Sequence, residues 1–127
     1  MTRFLLVCLA GAVGTGLRYL VGLGALRAFG PSLPYGTLIV NVVGCFCIAL
    51  VIELAVSTSL ISNDVRIIVA TGFVGGLTTY SAFNYETTTL LRERAWASGL
   101  GYLALTLFGC LASGLLGLAL ARRIAGG

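Results

Sequence analysis

The chain has 127 residues, of which 58% are hydrophobic and only 9% are charged, and its mean hydropathy is +1.05. Soluble domains are only about half apolar, so this composition excludes them and predicts a membrane protein with a single domain. The net charge of +4 comes from arginines, which lie at the ends of the apolar runs except for Arg18. No basic run exceeds two residues, so we expect no nucleic-acid partner.

The first predicted transmembrane helix covers residues 3–26, more than the roughly 20 apolar residues that cross a bilayer. Arg18 interrupts it toward its C-terminal end. Two interpretations stay open: the guanidinium extends to the lipid headgroups, or it faces a water-filled cavity and attracts anions. Gly11, Gly14 and Gly16 predict the close approach of a neighbouring helix.

The second predicted helix covers residues 35–57 and follows a turn rich in Gly and Pro. Thr37, Asn41 and Cys45 recur at four-residue spacing, so they share one face. An amide within hydrocarbon needs partners. Asn41 therefore either joins two helices or offers its N–H donors to an anion.

The third predicted helix, residues 65–91, is interrupted by Gly75-Gly76 and Thr78-Thr79. Irregular backbone at membrane depth is tolerated only inside protein or beside water, and broken helices there commonly hold ions. A packing kink at the glycine pair is the alternative. The second half must line a pore or the centre of an oligomer, because it carries the polar residues Thr78, Thr79, Ser81, Asn84, Glu86, Thr87, Thr88 and Thr89.

The fourth predicted helix covers residues 95–121 and carries one polar stripe along an otherwise apolar sequence. The stripe steps by four, four and three residues through Tyr102, Thr106, Cys110 and Ser113. Small residues at 109, 113 and 117 add a face suited to close helix packing.

Four spans put both chain termini on one side of the membrane. The terminal side carries Arg3, Arg66, Arg122 and Arg123, and the opposite side carries Arg27, Arg92 and Arg94. This arginine bias is too small to fix one orientation by the positive-inside rule. We therefore predict insertion in both orientations and an antiparallel dimer, whose two copies meet at the interrupted third helix.

Neither a zinc site nor an enzyme active site is predicted. Cys8, Cys45, Cys47 and Cys110 all lie in apolar runs without CxxC spacing, and the chain has no His. We interpret the cysteines as small apolar side chains that fill space between helices. No motif for nucleotide binding, metal-dependent hydrolysis or a nucleophile is present, so we expect no catalysis.

Three segments resemble the Fluc/CrcB family of fluoride channels. Residues 75–86, GGLTTYSAFNYE, resemble the family signature Gly-Gly-Leu-Thr-Thr-Phe-Ser-Thr-Phe-x-x-Glu. Residues 36–41, GTLIVN, resemble its Gly-Thr-Leu-x-x-Asn motif, and residues 14–19, GTGLRY, resemble its Gly-x-x-Leu-Arg-Trp run. The order, spacing and length agree, so the resemblance covers the whole chain; the first signature is the specific one.

The resemblance implies a passive, fluoride-selective channel that exports cytoplasmic fluoride across a bacterial plasma membrane. The implied architecture is an all-α, four-helix, dual-topology antiparallel homodimer with two pores. A structural sodium ion would lie at its centre on the backbone carbonyls of Gly75 and Thr78. The implied pore residues are Asn41, Tyr80, Phe83, Tyr102, Thr106, Cys110 and Ser113. We add Thr37 and Ser81 to the pore, and Arg18 and Glu86 to its vestibule.

Two positions depart from the family. Tyr80 stands where Phe is usual, and Cys110 stands where Ser is usual. The other residues suit fluoride: the positive ring edge of Phe83 can approach an anion, and neutral donors such as Asn41 and Thr106 can replace water without trapping the ion.

Two other function classes remain as alternatives. Small dual-topology drug exporters have a similar size, but they depend on a membrane-embedded Glu in the first helix, and residues 3–26 contain no acid. A non-transporting assembly subunit would use the polar stripes to hold helices together, but it would not need an interrupted third helix. Parallel efflux measurements with fluoride, chloride and a cationic dye separate these classes.

Overall fold

The computed structural model describes residues 1–126, and every regular element within them is helical. In chain order the elements are α1 (Thr2–Phe29), α2 (Tyr35–Ser57), α3 (Asn63–Ile67), a π-helical segment (Ile68–Val74), α4 (Gly75–Leu77), α5 (Tyr80–Arg92) and α6 (Trp96–Gly126). The third span consists of α3 to α5 and covers Asn63–Arg92. All four spans are long and apolar enough to cross a membrane, so the chain is a multi-pass membrane protein.

The helix ends follow local capping chemistry. α2 covers the same residues as the second predicted helix, whereas α1 and α6 continue past their predicted ends to Phe29 and Gly126. Gly30 ends α1 with a φ of 75°, a conformation that glycine adopts without a side-chain clash. Ser62 caps α3, because its hydroxyl accepts a hydrogen bond from the Val65 N–H.

The helices pack most closely at glycine positions. A Cβ atom on Gly14 would collide with the Phe73 carbonyl, and one on Gly117 would collide with the Phe46 carbonyl. α1 therefore packs backbone to backbone on the π-helical segment, and α6 packs in the same way on α2. The third span lies against α1 on one side and faces α2 on the other.

The third span is bent at two threonines. Thr78 (φ −84°, ψ 157°) and Thr79 (φ −155°, ψ 112°) are extended, a conformation that suits β-branched side chains. The Thr79 hydroxyl caps α5 by accepting from the Ala82 N–H at 3.2 Å. Gly75, predicted to be part of the break, is helical (φ −60°, ψ −37°).

Two exposed ion pairs lie at the terminal side of the bundle. Arg3 pairs with Asp64 across the starts of α1 and α3, and Arg122 pairs with Glu53 across the ends of α2 and α6. These contacts place both chain termini on one side, as four membrane crossings require. Exposed pairs contribute little stability, so their main effect is to fix the helix ends relative to one another.

Candidate functional site

A cavity of about 570 Å³ opens between α2, the bend of the third span and α6. Its lining contains Asn41, Tyr80, Phe83, Thr106 and Cys110, five of the residues predicted for the pore. Most of the remaining wall is apolar, formed by residues such as Ile48, Val74, Leu103, Leu107 and Leu111. The bend thus brings a few polar groups and two aromatic rings into an otherwise apolar wall, a pattern typical of ligand sites.

Asn41 holds the bend through both ends of its side-chain amide. Its Oδ1 accepts from the Thr79 N–H at 2.8 Å, and its Nδ2 donates to the Thr79 carbonyl at 3.1 Å. The side chain is 8% exposed. It therefore satisfies the Thr79 N–H, which the broken helix leaves without its usual acceptor, and adds a donor to the Thr79 carbonyl. One N–H of the amide remains for another acceptor.

Three aromatic rings follow one another near the cavity. The Phe83 centroid lies 5.8 Å from that of Tyr80 and 5.5 Å from that of Tyr102. Both pairs are tilted, the arrangement in which ring edges and faces attract. Tyr80 is 77% exposed, whereas Tyr102 is fully buried, so the row leads from the open side of the chain into its interior.

The predicted polar stripe on α6 divides into residues with different partners. Tyr102 donates to Glu86 at 2.7 Å, and Ser113 donates to the Val42 carbonyl of α2 at 2.7 Å. Thr106 and Cys110 line the cavity, but Ser113 does not. The Thr106 hydroxyl oxygen is buried and has no hydrogen-bond partner within residues 1–126. A buried hydroxyl without a partner is costly, which makes the Thr106 hydroxyl a candidate hydrogen-bond donor to a bound group.

Glu86 forms a second polar cluster. Its carboxylate accepts a hydrogen bond from Thr37 at 2.8 Å and another from Tyr102 at 2.7 Å. The cluster therefore joins side chains from α2, α5 and α6. Thr37 and Glu86 line a smaller cavity of about 240 Å³ near the turn between α1 and α2. The predicted vestibule residue Glu86 and the predicted pore residue Thr37 therefore lie together, outside the lining of the larger cavity.

The carbonyls of the bend have unusual partners. Arg18 donates to the Thr78 carbonyl at 3.3 Å, so its guanidinium contacts the backbone of the bend. The Gly75 carbonyl has lost its regular helical donor, because the Thr79 N–H donates to Asn41 instead. Ser81 is exposed, and its hydroxyl hydrogen-bonds that of Thr79 at 3.2 Å.

Sequence reasoning missed Cys45 as a member of the cavity wall. It lines the same cavity as Cys110, although we interpreted it only as a space-filling side chain. The available signal was the four-residue spacing that groups Cys45 with Asn41 on one face of α2. Thr79 was also missed as the backbone partner of Asn41, because no local pattern predicts a contact between residues 38 positions apart.

The structure is a bundle of four membrane-spanning helices, and its third span bends beside a cavity with few polar groups. This arrangement is typical of a small polytopic transporter or channel. The family model described as CrcB-like protein, Camphor Resistance (CrcB), matches residues 5–118, and the chain belongs to this family.

Curated relatives match over nearly the full length. Proteins from Anaeromyxobacter dehalogenans and Sorangium cellulosum are 47% and 44% identical over 99% and 100% of this chain. A protein from Chloroflexus aurantiacus is 38% identical over 99% of this chain, and all three are matched over 100% of their own length. Each is named Fluoride-specific ion channel FluC. These names describe ion channels and not enzymes, in agreement with the absence of a catalytic motif.

Proposed function

We propose that this chain forms a passive, fluoride-selective channel whose ion pathway passes through the cavity between α2, the bend and α6. The relatives named as fluoride-specific channels support the ion. The observation that carries the pathway is the Thr106 hydroxyl, which is buried in the cavity wall without a partner. A small anion that accepts hydrogen bonds would satisfy this group.

The lining suits conduction because its polar groups are neutral. Thr106 and the remaining Asn41 N–H can donate to a dehydrated anion, and the edge of the Phe83 ring adds a positive partial charge. No basic side chain lines the cavity within the described residues. A fixed positive charge there would bind the anion too tightly, whereas conduction needs binding that still allows release.

We further propose that two copies pair in antiparallel orientation. α5 exposes polar and aromatic side chains along one face, namely Tyr80, Ser81, Asn84, Tyr85 and Thr88. Polar groups facing lipid are costly, so a second copy covering this face would remove them from hydrocarbon. The weak arginine bias between the two membrane faces supports insertion in both orientations. If so, C-terminal tags will be found on both faces of the membrane; a single orientation would contradict this dimer.

A sodium ion at the dimer centre would fit the carbonyls of the bend. The Gly75 carbonyl is free of its usual helical donor, and Thr78 is extended, so its carbonyl also leaves the helical pattern. Carbonyl oxygens are suitable ligands for a hard cation. When bound, the ion would supply positive charge that holds the two copies together. Arg18 donates to the same Thr78 carbonyl, so it would share that oxygen.

The channel would serve a bacterial plasma membrane by releasing fluoride that enters cells as the weak acid and ionises inside. The test is efflux from liposomes that contain the purified protein and are held at a potassium-set voltage. Fluoride should leave while chloride and a cationic dye are retained. Equal release of both anions would contradict selectivity, and release of the dye would favour an exporter.

A further inference from the structure

Two cysteines lie together in the wall of the larger cavity. Cys45 on α2 and Cys110 on α6 both line it, and both are free thiols. Each follows a polar residue of the same wall by one helical turn, Asn41 on α2 and Thr106 on α6. The wall therefore contains two successive pairs of groups. The first is the amide of Asn41 with the hydroxyl of Thr106, and the second, one helical turn further, is the two thiols.

Close backbone packing holds the thiols in place. Ser113, three residues after Cys110, donates to the carbonyl of Val42, three residues before Cys45, at 2.7 Å. A Cβ atom on Gly114 would lie 3.7 Å from the Cys45 carbonyl oxygen. The two helices therefore cannot slide or separate easily at this level, and the two sulfur atoms are presented from a rigid frame.

We propose that Cys45 and Cys110 form a two-thiol binding site for a soft, two-coordinate metal ion, for which mercury(II) is the probe. Soft thiolate ligands select soft ions over hard ones. With mercuric chloride, each sulfur forms one bond to mercury, the two mercury–chlorine bonds break, and two protons and two chloride ions leave to water. No oxidation state changes. The bridged product is neutral, so it places no net charge in the apolar wall.

The remaining cysteines provide internal controls. Cys8 is exposed on α1, and Cys47 lies on α2 but outside the cavity lining. A thiol without a neighbouring thiol can bind mercury at one coordination position only. The pair should therefore retain mercury against a monothiol competitor, and the two isolated cysteines should release it.

The effect on transport rests on the proposed function: a bridge between α2 and α6 would occupy the wall of the fluoride pathway. Fluoride efflux should fall by about tenfold or more after mercuric chloride, and excess dithiol should restore it. Binding itself does not depend on that function, and intact-mass spectrometry measures it separately as one mercury replacing two hydrogens.

The experiment compares the reduced parent with three variants: the double variant Cys8→Ser/Cys47→Ser, and the single variants Cys45→Ser and Cys110→Ser. Each is treated with mercuric chloride, washed with a monothiol and analysed both by intact mass and by efflux relative to its own untreated rate. The parent and the double variant should each keep one mercury per chain and lose efflux. The two single variants should lose the mercury during the wash and keep their untreated rate.

Mercury retained equally by Cys45→Ser, or lost by the double variant, would overturn the two-thiol site. Retained mercury in the parent without any change in fluoride efflux would place the site outside the pathway and overturn its effect on transport. If the untreated parent released no fluoride, the proposed function would fail, and the mass measurement would still decide whether the thiol pair binds the ion.

Discussion

The side chain of Asn41 clamps the backbone of Thr79, accepting from its N–H at 2.8 Å and donating to its carbonyl at 3.1 Å. The first of these hydrogen bonds replaces the one that the Thr79 N–H loses where the third span bends. It also fixes α2 against the start of α5, which positions Phe83 in the cavity. The bend is therefore a tertiary feature, stabilised by a residue of another helix.

Asn41→Ala should destabilise the fold, because the Thr79 N–H loses its acceptor inside the membrane and the Thr79 carbonyl loses a second donor. Each buried group left without a hydrogen bond costs about 1–3 kcal/mol. Thermal unfolding in detergent should show a lowered transition, and fluoride efflux should be lost. Asn63→Ala removes an exposed amide at the start of α3 and should change stability by no more than about 0.5 kcal/mol. Equal effects of both substitutions would contradict the clamp.

Two glycines of α1 provide a matched test of its packing on the π-helical segment. A Cβ atom at Gly14 would collide with the Phe73 carbonyl, whereas one at Gly16 meets nothing within 4 Å. Gly14→Ala should destabilise the protein by about 1–3 kcal/mol through overpacking. Gly16→Ala should be neutral or slightly stabilising, because alanine favours a helix. Unfolding in detergent measures both, and a tolerated Gly14→Ala would show that α1 can move away.

Substitutions at two phenylalanines distinguish a role in the ion pathway from a general contribution to hydrophobic packing. Phe83→Ile removes the ring edge in the cavity wall and should reduce fluoride efflux strongly while the protein keeps its elution volume on a sizing column. Phe108→Ile changes a ring that is 67% exposed on α6 and should keep the parent rate. If efflux through Phe83→Ile matched that through Phe108→Ile, Phe83 would serve packing alone.

Tyr80 departs from the usual family residue, and its hydroxyl makes no hydrogen bond within residues 1–126. Both Asn41 side-chain contacts of the structure go to Thr79 and not to this hydroxyl. Tyr80→Phe should therefore keep fluoride selectivity and change the rate by less than about tenfold. Tyr80→Ile removes the ring and should reduce the rate much further. Loss of transport in Tyr80→Phe with an intact oligomer would show that the phenol is essential.

Much of the architecture follows from the sequence. The apolar runs predict four membrane-spanning helices, and the polar interruption predicts a bend in the third. The position of the bend needs the tertiary structure, because Gly75 and Gly76 stay helical and only Thr78 and Thr79 extend. Gly76 serves close packing instead: a Cβ on it would collide with Gly11 of α1.

The sequence predicted which residues lie at the site better than it predicted which groups they contact. The four-residue spacing on α6 placed Thr106 and Cys110 on one face, and both line the cavity. The same spacing included Ser113, whose hydroxyl instead binds the backbone of α2. Periodicity identifies a shared face, but it cannot tell which of its polar groups meets a neighbouring carbonyl and which meets a cavity.

The most direct test of the pathway uses Thr106, whose buried hydroxyl has no hydrogen-bond partner among residues 1–126. Thr106→Val keeps the shape and removes the hydroxyl, and Thr106→Ser keeps the hydroxyl. Because the lost group makes no internal hydrogen bond, Thr106→Val should unfold at the parent temperature or above it. Its fluoride efflux from liposomes should nevertheless fall by about tenfold, and Thr106→Ser should stay near the parent rate. Parent-like efflux through a well-folded Thr106→Val would contradict a fluoride pathway through this cavity.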